Sequence, residues 1–202
     1  MTRSANRCGG WCAWALAVLA VAGCQGLVQA PAAPRSYDLG ATPASVPPSA
    51  LIAGVQVSAP AWLRTPAIQY RFSQVDPRER RAYRDHRWAA PPGELMLARL
   101  QRDLVVGGRC RLEVNVDEFI QEFPAAEESF GVVAVRATLR SAEEGAPLAR
   151  HSFAYRVPAP RPDAPGGVDA LARAVGQFSS ELQGWVTQVG TPPEISRPCQ
   201  RQ

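Results

Sequence analysis

The sequence predicts an α+β, two-layer domain: an antiparallel sheet with two helices packed on one face. Two patterns carry that expectation. Segments 109–119, 130–140 and 148–157 alternate apolar with polar residues, as half-buried strands do. Segments 93–104 and 168–189 place apolar residues three and four apart, as helices with one buried stripe do. A chain of 202 residues, 46% hydrophobic, has room for one domain with a real core and hardly for two. No internal repeat is visible.

Taken in order, the chain opens with Arg3 and Arg7 and no acidic residue. An apolar run over 11–22 follows, then Val21-Ala22-Gly23-Cys24. This is the anatomy of a secretory signal, and the run is short for a membrane span, which takes about 20 residues. An aliphatic residue, two small ones and a cysteine resemble the bacterial lipobox. The resemblance implies cleavage after Gly23 and acylation of Cys24 with chains such as palmitate; the alternative is an ordinary signal that contains a cysteine. Each buried CH₂ of such chains contributes about 0.8 kcal/mol to anchoring. Gln25 departs from the Asp that marks inner-membrane retention. By that rule the protein sits on the periplasmic face of the outer membrane of a Gram-negative bacterium.

The expected organisation is a signal peptide over 1–23, a lipidated cysteine and flexible tether over 24–50, a domain over 51–190 and a disordered tail over 191–202. The tether is rich in Ala and Pro, too poor in apolar side chains to pack alone. Its roughly 26 residues reach about 90 Å when fully extended. Within it, 36–39 has the character of a short edge strand. Leu51, Ala53, Val55 and Val57 alternate as a strand, 67–72 as a second and 82–88 as a third. Pro60, Pro66 and Asp76-Pro77 mark the turns between them.

Helix 93–104 turns Met96, Leu97, Leu100 and Leu104 inward and Arg99, Arg102 and Asp103 outward. Three alternating strands then form a meander, joined at Glu143-Glu144-Gly145, with Glu118, Glu122, Glu127 and Glu128 read as a solvated turn. The last helix carries Val168, Leu171, Val175, Phe178, Leu182, Trp185 and Val189 in one stripe.

The formal charge of +4 falls to +2 once Arg3 and Arg7 leave with the signal, too little for the basic stripe of a nucleic-acid binder. Every basic residue is Arg. Cys110 and Cys199 remain as a pair in a compartment that permits disulfides. Bridged, they contribute about 4–5 kcal/mol in the chain-entropy model; otherwise they are free thiols. His86 and His151 lack the spacing of a metal pair, and Ser179-Ser180 have no His or Asp near them in sequence. No nucleophile elbow, phosphate loop or Cys-x-x-Cys appears. The sequence calls for no cofactor and no metal.

Four stretches stand out: 57–63, 68–71, 83–92 and 111–119. Val57-Ser58-Ala59-Pro60-Ala61-Trp62-Leu63, Ile68-Gln69-Tyr70-Arg71, Tyr83 through Trp88 to Pro92, and Arg111-Leu112-Glu113-Val114-Asn115-Val116-Asp117-Glu118-Phe119 follow in fixed order and spacing. Together they resemble the ABC-type transport auxiliary lipoproteins, also called PqiC-like proteins. The resemblance covers about residues 36–190. It implies a non-enzymatic partner of a system that moves phospholipid or other hydrophobic molecules across the envelope. Such a protein docks on a periplasmic substrate-binding protein of the mammalian-cell-entry type, which works with an ABC transporter, and forms homo-oligomeric rings. No catalytic residue carries over.

Trp62, Tyr70, Tyr83, Arg84, Arg87 and Trp88 form an aromatic and Arg-rich group, the residue types enriched at interfaces and suited to lipid phosphates. They are either contacts to a partner or lipid, or core aromatics with solvated arginines. Two other function classes stay open: an assembly lipoprotein that handles no lipid, and a lipid-anchored hydrolase.

Overall fold

The computed structural model describes residues 33–41, 51–104, 107–141 and 145–200. The signal segment, Gly23, Cys24, most of the tether and Glu143-Glu144 lie outside them. Seven strands form one mixed sheet. Strands β1 (Arg35–Tyr37), β2 (Ile52–Ser58), β3 (Ala67–Phe72) and β4 (Arg81–Trp88) precede helix α1 (Pro92–Asp103). Strands β5 (Cys110–Ala125), β6 (Glu128–Arg140) and β7 (Pro147–Pro158) lead to helices α2 (Ala164–Val189) and α3 (Pro193–Cys199). The class is α+β, as expected.

The meander β5–β6–β7 is antiparallel. Leu112 stands opposite Leu139, Val114 opposite Ala137 and Val116 opposite Val135, all buried. Phe153, Tyr155 and Val157 continue that face on β7. The expectation of a wholly antiparallel sheet is corrected at the other margin. There β2 and β3 both run parallel to β5, and β1 runs parallel to β4. The reason is the connection: β3, β4 and α1 lie between β2 and β5, long enough for the chain to return and start again from the same end.

β5 runs to Ala125, beyond the point where its alternation breaks, because a bulge lies between Val116 and Glu118. The extra residue reverses the phase. Cys110, Leu112, Val114 and Val116 point inward before it, and Phe119, Gln121 and Phe123 after it.

In α1, Met96 and Leu100 are fully buried. Arg99 and Asp103 are buried as well, which corrects their placement outside. They pair with each other across one turn, and Ser179 of α2 donates to Asp103 at 2.7 Å. Two buried charges are tolerated because each finds a partner. α2 starts four residues before the expected point. Asp163 caps it by accepting from the Gly166 N–H at 2.7 Å. Burial opposes ionisation of Asp163, but Gly166 and Arg161 outweigh it and hold the carboxyl below its ordinary range. α2 lies directly on the sheet: a Cβ at Gly131 would come within 2.7 Å of the backbone at Ala170 and Leu171.

The two ends of the domain also differ from expectation. β1 and Leu39, the latter 6% exposed, belong to the fold, so the domain begins before residue 51. The tail is not loose: 193–199 is helical, and Cys199 is bonded to Cys110 with a Cα–Cα distance of 4.8 Å. The Arg109 N–H donates to the Cys199 carbonyl at 2.8 Å beside that bridge. The bridge spans 89 residues, and closing a loop of that size in the unfolded chain stabilises the fold by about 4–5 kcal/mol in the entropic model. Replacing both cysteines with serine should lower stability by roughly 2–5 kcal/mol in urea unfolding, with reductant then having no further effect.

Candidate docking surface

The arginines around β3 and β4 divide into two sets. Arg80 holds Glu118 through two nitrogens, at 2.7 and 3.1 Å. Arg71 reaches Glu118 at 3.2 Å and Glu122 at 3.3 Å. Arg78 pairs with Asp76 and Arg81 with Glu79. Glu118 and Glu122 are therefore rungs of an ion-pair ladder on β5, which corrects their reading as a solvated turn. Arg84 and Arg87 are exposed and form no ion pair among the described residues.

The aromatics divide too. Trp62, on a 3₁₀ turn over Ala61–Leu63, is 55% exposed. Trp88 is 1% exposed and packs edge-on against Phe119 at 5.5 Å, so it is a core residue and is corrected as a contact. Tyr70 and Tyr83 are half-buried with ring centroids 4.5 Å apart. Phe72 and Phe123 extend that cluster, 5.0 Å from each other.

A residue that sequence reasoning missed fixes this cluster. Gln121 is wholly buried. The Tyr83 hydroxyl donates to its Oε1 at 2.9 Å, while its Nε2 donates to Ser129 Oγ at 2.8 Å and to the Asp163 carbonyl at 3.1 Å. One amide thus ties β4, β5, β6 and the start of α2. A Cβ at Gly167 would fall 2.0 Å from Gln121 Oε1, so any larger residue there would displace the amide. Burial pushes the Tyr83 phenol up from its ordinary value, which keeps the hydroxyl a donor. The only sequence signal for Gln121 was a polar residue inside an apolar stretch, legible once the bulge is known.

Ser179 donates to Asp103, which Arg99 also holds, and among the described residues no histidine is hydrogen-bonded to Ser179. Among the described residues no cluster of three His, Cys, Asp or Glu side chains is arranged to hold a metal ion. A hollow of about 400 Å³ in the open sheet face is lined by Glu113, Asn115, Arg136, Thr138, Arg140 and Arg150. Two of its arginines are already paired, Arg136 to Asp117 and Arg140 to Glu113.

The model of one protein family, described as the ABC-type transport auxiliary lipoprotein component, matches residues 37–183. The chain belongs to this family. As an ABC-type transport auxiliary lipoprotein it falls in a transport family rather than an enzyme family, and membrane attachment comes with the lipoprotein class. Its fold is similar to that of protein XCC0632 from Xanthomonas campestris, with a TM-score of 0.62 and 20% identity over 79% of this chain and 90% of that one. A second solved structure, of an uncharacterized protein, gives 0.60 and 17% over 76% and 99%. At these identities the likeness concerns the fold alone. No curated protein matches the auxiliary lipoprotein's sequence significantly.

The Gln121 knot yields a graded test. Tyr83→Phe removes one donor and should cost about 1 kcal/mol in urea unfolding, whereas Gln121→Leu strands several partners and should cost roughly 2–3 kcal/mol.

Proposed function

We propose that this lipoprotein is the membrane-anchored, non-enzymatic partner of an ABC-type system moving phospholipid or another hydrophobic molecule across the bacterial envelope. The family match over 37–183 carries the reading. It is anchored through acylated Cys24 at the periplasmic face of the outer membrane. It docks on a substrate-binding protein of the mammalian-cell-entry type, and its own copies assemble into a ring.

The structure supports docking rather than catalysis in two ways. Its buried polar groups are consumed in holding elements together, at Gln121 and at Asp103. Its exposed aromatic, Trp62, sits on a rigid turn whose Leu63 is buried and whose carbonyl at Trp62 accepts from Gln69. Beside that turn lies a hollow of about 340 Å³ with a mixed lining, Val57, Pro91 and Leu97 together with Ser58, Arg64 and Glu94. An exposed tryptophan next to a recess is the residue type that anchors protein interfaces.

Crosslinking in intact cells tests the reading. A photocrosslinker at position 62 should capture the substrate-binding component, and Trp62→Ala should weaken co-purification about tenfold or more, as loss of a hot-spot aromatic does. Cys24→Ser should release the protein from membranes and abolish transport while thermal unfolding stays unchanged. Full transport by that variant, or capture of scaffold proteins only, would overturn the reading.

A further inference from the structure

We infer that the β1–β4 margin of the domain faces the membrane and that Arg35, Arg84 and Arg87 bind the phosphates of an anionic lipid surface there. The inference rests on the anchor at Cys24 proposed above and adds which surface that anchor presents.

Chain length makes the first half of the argument. The fold begins at Arg35, whose strand β1 pairs with β4 through Arg35–His86, Ser36–Arg87 and Tyr37–Trp88. Cys24 stands only eleven residues before it. Eleven residues reach about 40 Å at most, fully drawn out. A domain of this size is itself about 40 Å across. The attachment point at Arg35 therefore belongs to the side of the domain that lies against the bilayer.

Charge makes the second half. Arg35, Arg84 and Arg87 are exposed, and none forms an ion pair among the described residues. Strand pairing puts Ser36 beside Arg87 and Arg35 beside His86. Asp85 is the one carboxylate on β4, and Asp38, just past β1, is turned to the Gly40 N–H at 2.8 Å. A surplus of positive charge stays at this margin, whereas Arg71, Arg78, Arg80 and Arg81 nearby are taken up by carboxylates. A guanidinium suits phosphate because it donates two parallel hydrogen bonds. Near an anionic surface each basic residue strengthens attachment by about fivefold.

The lipidated full chain tests this in vesicles of phosphatidylcholine alone or mixed with phosphatidylglycerol, with backbone hydrogen exchange as the readout. Peptides covering 35–37 and 81–88 should exchange about fivefold slower in the mixed vesicles. Arg84→Glu with Arg87→Glu should erase that difference, and the gentler Arg84→Gln with Arg87→Gln should remove most of it. Equal exchange in both vesicle types, with the protein afloat in both, overturns the headgroup contact and leaves the anchor standing. Protein that floats with neither overturns the anchor and the contact together. In intact cells a photocrosslinker at position 87 should join lipid; an adduct there with a transport protein or a second copy overturns the inference.

Discussion

β5 sets the problem that the rest of the sheet solves. Its sixteen residues run through the middle of the domain, and each buried N–H or C=O left unpaired would cost about 1–3 kcal/mol. β6 serves one edge along nearly its whole length. The other edge is shared: β2 pairs with 110–115 and β3 with 121–123, both parallel. Between them the chain leaves the sheet, since Pro60 and Pro66 have no N–H with which to pair. The detour is the 3₁₀ turn at Ala61–Leu63. It drives Leu63 into the core and leaves Trp62 outside, so the exposed tryptophan is a by-product of how β5 is satisfied.

The bulge near Asp117 decides what lies on each face beyond it. It turns Gln121 toward α2, where the amide meets Gly167 and the start of the helix. It also turns Ile120 to the opposite face, where that side chain is fully buried yet outside the main core. Its row neighbours Glu118 and Glu122 hold Arg71 and Arg80. Ion pairs at partly exposed positions contribute little each, around 0–1 kcal/mol. The aliphatic stems of such arginines cover apolar surface, which gives the ladder a packing role that does not depend on its charges.

Legibility followed the range of the interactions. The three meander strands and both long helices could be read from the sequence because alternation and the three-four stripe are local. The parallel pairing of β2 and β3 could not, since nothing in 52–58 or 67–72 states which edge they join. Asp103 and Arg99 look like surface residues at their spacing; their own ion pair and Ser179, far along the chain, make their burial tolerable. The helical tail depends on a bond to Cys110, and a run of prolines conceals it. Of the residues singled out as contacts, Arg84, Arg87 and Trp62 are exposed, whereas Trp88 is core. Its place on β4 does not distinguish it from its neighbours until the bulge over 83–86 is seen.

β1 changes what an anchor at Cys24 can do. A free tether running to residue 50 would reach about 90 Å, enough for the domain to search far from the bilayer. Three residues of strand pairing and one buried leucine, Leu39, remove more than half of that reach. Leu39 sits beside both helices, near Leu95 of α1 and Val168 of α2, so the strap is held by the same core that holds the sheet. Anchored at Cys24 as proposed and fixed this closely, the domain would not cross a wide gap. On the anchored reading proposed above, the partner's end must come to the membrane, and Trp62, on the turn that leads into β3, and Val75 are the exposed large apolar side chains among the described residues left to meet it.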